Sequence, residues 1–415
     1  MIMEQESTKS TQDKRYMWSQ PWGYRESFLI AFSLLGIGFV LEIASGNFKI
    51  SMPSWPLNLI IFVILIVYIL ISQHYFKNTF VKWISSTQAA IASISVFTIL
   101  ILMMGFTAQV PQRGLIEMFG LTHIVSSWPY FLCSFFLMMV LGFTIAKRLR
   151  SYSLKNIAFL LNHLGLWIII AVASVGSGDL KKYRMQLVKE RTVFSAIDDH
   201  GIQHRMPFAL RLMEFNIDEY NPDIGLVDPN TNRLIIKKGD KLTEAKAGNG
   251  FVKNNWQIEI KTYLESAAIK NGAYVESVSI GSAPAAYLLA RNLLNNSEVE
   301  GWISSGSFMS PSKFLNLDQQ NVLAMTIPRS KRFSSEIRVF KQIKDYEDIV
   351  IEVNKPISIS GWKIYQTGYN EQMGKWSDVS IIELVKDPWL PVIYTGIFMV
   401  LFGSLYLVWM GRTKN

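Results

Sequence analysis

Cysteine is almost absent from this chain: Cys133 is the only one. A single thiol excludes a disulfide framework and any CxxC redox or metal pair within the chain. Cys133 lies inside an apolar run and reads as a small packing residue at lipid level. Charge is scarce too. Asp, Glu, Lys and Arg make up 18% of the residues, against about a quarter in a soluble protein of this size. Half of the residues are hydrophobic. There is no phosphate-binding glycine loop, no nucleophile elbow and no HExxH helix. The first 27 residues are polar and of mixed charge, unlike a cleaved signal peptide.

What is abundant is apolar sequence, and it is unevenly spread. Six runs predict membrane spans: Phe28–Ile43, Leu57–Ile71, Ile84–Phe106, Trp128–Ala146, Ile157–Val175 and Trp389–Met410. Crossing about 30 Å of hydrocarbon takes about twenty residues. The last four runs meet this; the first two are shorter, and Glu42 intrudes near the end of the first. Both are still expected to span, because only together do they let the charges alternate. Lys9, Lys14, Arg15 and Arg25, then Lys77 and Lys82, then Lys147, Arg148, Arg150 and Lys155, then Arg412 and Lys414 fall on one side. The alternate short loops hold only Lys49 and Arg113. The excess of Lys and Arg marks the cytoplasmic side, which places both termini there. Trp389 and Trp409 frame the last span at headgroup level.

Gly178–Asp387 holds 27 Lys/Arg and 26 Asp/Glu, so the rest of the chain carries 14 of its 41 basic and 6 of its 32 acidic residues. A positive excess that flanks apolar runs, not a folded domain, argues for membrane topology and against nucleic-acid binding. The expected fold is a polytopic α-helical membrane protein of about six transmembrane helices, with a large, mainly β extracytoplasmic domain between spans five and six. The expected parts are a cytoplasmic segment 1–27, two N-terminal helices in 28–83, three helices in 84–177, the outer domain 178–387, and the last helix with a short tail in 388–415.

Within the outer domain, Ile349–Val353 reads as a strand. Ile357 and Ile359 alternate with Ser358 and Ser360, Gly361 follows, and then Lys363–Gln366, which predicts antiparallel strands about a turn. Ala285–Arg291 reads as a short helix.

Five histidines are candidates for chemistry. His200 and His204 stand four apart, but Gly201 and the charged neighbours favour a solvated loop over a metal site. His123 precedes span four and His74 ends span two; both read as interfacial polar residues. His163 lies inside span five, in Asn162-His163-Leu164-Gly165. An ionisable residue within a span is a functional candidate by default, and imidazole is a common haem iron ligand. The alternative is a helix–helix hydrogen bond, aided by Asn162.

Several short patterns converge on one family. Asn162-His163-Leu164-Gly165 sits in a span that runs straight into the outer domain. Met206-Pro207-Phe208-Ala209-Leu210-Arg211-Leu212 opens that domain's β region. Val353-Asn354-Lys355-Pro356 and Gly361-Trp362-Lys363-Ile364-Tyr365-Gln366 lie near its end. Lys386-Asp387-Pro388-Trp389-Leu390-Pro391 leads into the final span. In order and in position, these resemble the ResB/CcsB family of system II cytochrome c biogenesis. The likeness covers about Ile84–Gly178, patches of the outer domain and Trp362–Arg412. The two N-terminal spans fall outside it.

The resemblance implies a location, a cargo and partners. The chain would sit in a bacterial inner (cytoplasmic) membrane with its large domain on the periplasmic or outer side. With a CcsA/ResC-type membrane protein it would export haem b and present it for covalent attachment to apocytochrome c, as a non-autonomous subunit of a cytochrome c haem lyase. His163 stands where the family places an intramembrane axial ligand to the haem iron. A second imidazole and the family's tryptophan-rich haem-handling motif, absent here, would come from the partner. The alternative is a structural envelope subunit that anchors an outward protein-interaction domain and uses His163 for packing.

Overall fold

The computed structural model describes residues 18, 20–46, 48–75, 77–111, 114–150, 154–229, 233–235, 242–342 and 345–412. Lys9, Lys14, Arg15, Arg113 and Lys414 lie outside them. The described residues form two compact units, a helical one up to Leu180 and from Asp387 onward, and a β unit over Lys181–Lys386.

The helical unit contains α1 (Tyr24–Ala44), α2 (Leu57–Ser72), α3 (Thr79–Ile84), α4 (Thr87–Phe106), α5 (Leu115–Met118), α6 (Trp128–Leu149), α7 (Leu154–Val175) and α8 (Leu390–Arg412). Helices α1, α4, α6, α7 and α8 are long and apolar enough to cross a membrane. The remaining expected span, α2, is an apolar helix of 16 residues, about 24 Å long at 1.5 Å per residue. Helix α1 starts four residues before the apolar run because Glu26 caps it: the Gly23 amide donates to Glu26 Oε2 at 2.7 Å. The expected third span is broken at Ser85–Ser86, where the Ser86 hydroxyl accepts from the Ala89 amide and starts α4. Ile84 therefore ends α3 instead of opening the span.

Helix α6 is the centre of this unit, with 72% of its span buried, and α1, α2, α4 and α7 pack around it. Helix α8 packs on α7 and is only 11% buried, leaving an apolar surface suited to lipid. The Asp179 carboxylate ties three segments together at the end of α7. It accepts from the Trp55 amide at 2.7 Å, Asn58 Nδ2 at 2.6 Å and Trp389 Nε1 at 2.7 Å. The start of α2 is thereby joined to the end of α7 and the start of α8.

The β unit begins with β1 (Lys181–Val188), β2 (Thr192–Ile197) and β3 (Gln203–Glu219). Next come β4 (Asp223–Asp228), β5 (Arg233–Leu234), β6 (Thr243–Glu244), β7 (Gly250–Lys253), β8 (Trp256–Lys270), β9 (Ala273–Glu276), β10 (Ala283–Asn292) and β11 (Glu298–Ser304). Then follow β12 (Leu315–Asn316), β13 (Val322–Met325), β14 (Ser330–Gln342), β15 (Asp345–Glu352), β16 (Ile357–Ile359), β17 (Trp362–Tyr369) and β18 (Val379–Lys386). The largest sheet runs β15-β14-β3-β2-β1-β18-β17-β16. The unit's first and last strands in chain order, β1 and β18, pair from Lys181↔Lys386 to Val188↔Val379, so the chain enters and leaves the unit side by side. A second sheet runs β11-β10-β8-β7 with β9 on β8, and a third β12-β13-β4-β5 with β6 on β4. Inward-facing Leu187, Leu210, Leu212, Ile337, Ile364 and Leu384 fill the core of the large sheet.

The expected turn at Gly361 forms: Ile359 pairs with Trp362 across Ser360 and Gly361, at φ 49° and 80°. Two expectations are corrected. Met206–Leu212 does not open the β region, since β1 and β2 precede it. Ala285–Arg291 is not a helix but the middle of β10, paired on both sides by β8 and β11. Its alanines are wholly buried, and packing between two strands overrides their helical preference.

Candidate functional site

The N-terminal half of α7 carries Phe159, Asn162 and His163, and each does something different. The His163 ring stacks on Phe159, with centroids 3.7 Å apart and planes at 20°. His163 Nδ1 lies 2.9 Å from the Phe159 carbonyl oxygen. A carbonyl only accepts, so Nδ1 carries the proton and Nε2 keeps its lone pair. Among the described residues Nε2 has no hydrogen-bond partner. The link between α7 and α8 falls instead to Asn162, whose Nδ2 donates to Ser404 Oγ at 2.6 Å. The half-buried His163 thus makes no interhelical hydrogen bond among the described residues.

Arg148, in the last turn of α6, faces the same ring: its Cζ is 5.0 Å from the Phe159 centroid. From the sequence it counted only as one of the charges that set topology. Leu164, the residue after His163, lines an apolar cleft with Ile66, Ile69, Gly142, Ile145 and Trp167. The cleft's volume is about 170 Å³, below the roughly 300 Å³ at which a pocket encloses a drug-sized ligand. His163 itself does not line this cleft.

The other imidazoles are occupied or solvent-facing. His123, expected as an interfacial residue, is 8% exposed and tied to a Glu42 carboxylate that is fully buried. Its Nε2 is 3.0 Å from Glu42 Oε1, and Nδ1 is 3.2 Å from Thr122 Oγ1 and 3.8 Å from Glu117 Oε1. Glu42 Oε2 also accepts from the Trp128 amide at 2.8 Å. With both ring nitrogens engaged, His123 has no free lone pair to offer an iron. The sequence signal for this cluster was Glu42 itself, a carboxylate within a span.

His200 lies in the turn between β2 and β3. His204 sits on β3, stacked on Tyr183 at 4.4 Å and bonded to Asp198 Oδ2 at 2.8 Å. That bond and two backbone amides hold the Asp198 carboxyl below its usual range. His74 Nδ1 is 3.2 Å from the Ile71 carbonyl oxygen, and Cys133 is buried in α6. Among the described residues no group of three or more His, Cys, Asp or Glu is placed to hold a metal ion. The Nε2 lone pair of His163 has no partner among the described residues and is available as a ligand atom. No protein-family model matches the chain, and no curated protein matches it.

Proposed function

We propose that this chain is the haem-handling subunit of a system II cytochrome c synthase, with His163 as an axial ligand to haem iron within the membrane. A CcsA/ResC-type partner supplies the second imidazole, and apocytochrome c receives the haem b on the outer side. The observation that carries this reading is the state of the imidazole. His163 spends its Nδ1 proton on its own helix, leaves the interhelical bond to Asn162, and keeps Nε2 open. Fixing one ring nitrogen on a carbonyl orients the other for a metal and raises its basicity. The sequence resemblance to the ResB/CcsB family supplies the identity of the iron compound.

The same reading puts the Lys/Arg-rich ends of the helices in the cytoplasm of a bacterial cell and the β unit outside its inner membrane. Reporter fusions at Lys77 and Arg150 should then give cytoplasmic signals and a fusion at Asn295 an outer one.

The test uses the chain purified with its membrane partner. His163→Gly should insert normally, lose haem from the reduced-minus-oxidised spectrum and stop cytochrome c maturation. Added imidazole should restore part of both by filling the vacated axial position. Unchanged haem content and maturation in the variant complex would sink the reading.

A further inference from the structure

We propose that Arg148 is the anion anchor of the His163 site, its guanidinium binding a carboxylate side chain of the tetrapyrrole whose iron His163 ligates. The inference rests on the haem reading above and gives it a second contact. Three observations carry it. The first is geometric. Phe159 touches both groups, the imidazole at 3.7 Å between ring centroids and the guanidinium carbon at 5.0 Å from the ring centroid. The ring engages the guanidinium through its charge and leaves its N–H donors free for an oxyanion.

The second is the absence of an internal counter-ion. No Asp or Glu occurs between Glu117 and Asp179, while Lys147, Arg148, Arg150 and Lys155 all lie in that stretch. Among the described residues Arg148 makes no ion pair. Arg148 is exposed, so its N–H donors are open to an oxyanion from outside this part of the chain. The third is chemical. Haem carries two carboxylates at one edge of the macrocycle. Ligation by an imidazole leaves the macrocycle free to turn about the iron–nitrogen bond, so a cation beside the ligand can hold that edge, and arginine matches a carboxylate with two parallel hydrogen bonds. A lipid phosphate offers the same oxyanion chemistry at a helix end, so the test must separate the two sources.

The full chain purified with its membrane partner, in nanodiscs, is titrated with iron protoporphyrin IX and with its dimethyl ester, read by the Soret band. The ester keeps the iron and loses both negative charges. The wild type should bind the diacid about tenfold more tightly than the ester, the worth of one charge-assisted hydrogen-bonded pair. Arg148→Gln should erase that preference and leave ester affinity unchanged, and Arg148→Lys should keep part of it. His163→Gly should weaken both compounds alike and keep the preference. A preference that survives Arg148→Gln overturns the proposal. So does loss of bound phosphatidylglycerol from Arg148→Gln with the diacid preference intact, which assigns the guanidinium to lipid. If His163→Gly changes the binding of neither compound, the haem reading itself fails, whatever Arg148 does.

Discussion

Gly165 and Gly396 bring the backbones of α7 and α8 into contact. A Cβ on Gly165 would stand 2.6 Å from the Gly396 carbonyl oxygen, and a Cβ on Gly396 2.8 Å from that of Gly165. Gly403, seven residues and two turns on, meets the Asn162 amide nitrogen at 2.7 Å in the same way. Where lipid is as apolar as the side chains, helices associate through such close backbone approach and through hydrogen bonds. The α8 helix rests on α7 by this seam and by the Asn162–Ser404 bond, within a turn of His163.

Gly165→Ala should therefore be costly although it adds one methyl. The clashing atoms are backbone, so the two helices must part, at about 1–3 kcal/mol. Gly36→Ala is the control, since its Cβ would meet nothing within 4 Å. Thermal unfolding in detergent should show a lower midpoint for Gly165→Ala and none for Gly36→Ala. Equal midpoints would contradict the seam.

The buried Glu42–His123 pair makes a second prediction. Glu42→Ala leaves His123 Nε2 and the Trp128 amide without their acceptor, in a place where water does not replace it. Breaking a buried pair from one side costs about 3 kcal/mol or more. Glu42→Gln keeps one oxygen acceptor and should lose less. Gly120→Ala should act like Glu42→Ala, because its Cβ would meet Glu42 Cδ at 2.8 Å and its φ is +68°. A Glu42→Ala protein as heat-stable as the wild type would contradict the assignment.

The β unit gives a pH-dependent case. Burial pushes the Asp318 carboxyl up, but hydrogen bonds from Asn321, the Gln320 amide and Trp256 Nε1 outweigh it and hold it below the usual range. A carboxyl depressed on folding contributes stability that is complete above its unfolded value, about 3.9, and is lost as the pH falls through its folded value. Asp318→Asn should be less stable than the wild type at neutral pH, and the gap should close in acid. The check is the unfolding midpoint of the full chain by tryptophan fluorescence at pH values from about 7 down to about 3. A gap constant across that range would rule out the mechanism.

Legibility in the sequence followed the range of the interactions. The apolar helices and the Ile357–Gln366 hairpin were readable, because a hydrophobic run and a Ser-Gly turn between alternating residues are local signals. Ala285–Arg291 was misread because its fate depends on β8 and β11, which lie on either side of it in space and not in sequence. His163 stood out by its cost in a span, yet its tautomer could not be read without the position of the Phe159 carbonyl. Arg148 and the Glu42–His123 pair were hidden for a similar reason. Their partners lie 11 and 81 residues away along the chain, and only packing brings them together.

The sharpest contrast lies between the neighbours Asn162 and His163. Asn162 holds α8 and His163 does not, so their substitutions should separate stability from ligation. Asn162→Ala removes a hydrogen bond between spans, worth about 0.6 kcal/mol on average, and opens space at Gly403. It should lower the unfolding midpoint modestly and, on the proposed haem reading, leave haem content intact, since His163 Nδ1 is held by its own helix. His163→Ala should do the reverse. The Phe159 carbonyl remains an acceptor in the α7 ladder, so no buried group is orphaned and the midpoint should hardly move, while on the proposed haem reading the haem spectrum of the complex should disappear. Measuring both properties for both variants gives four values. A His163→Ala protein that loses stability and keeps its haem would return the imidazole to a packing role and leave the free Nε2 without a function.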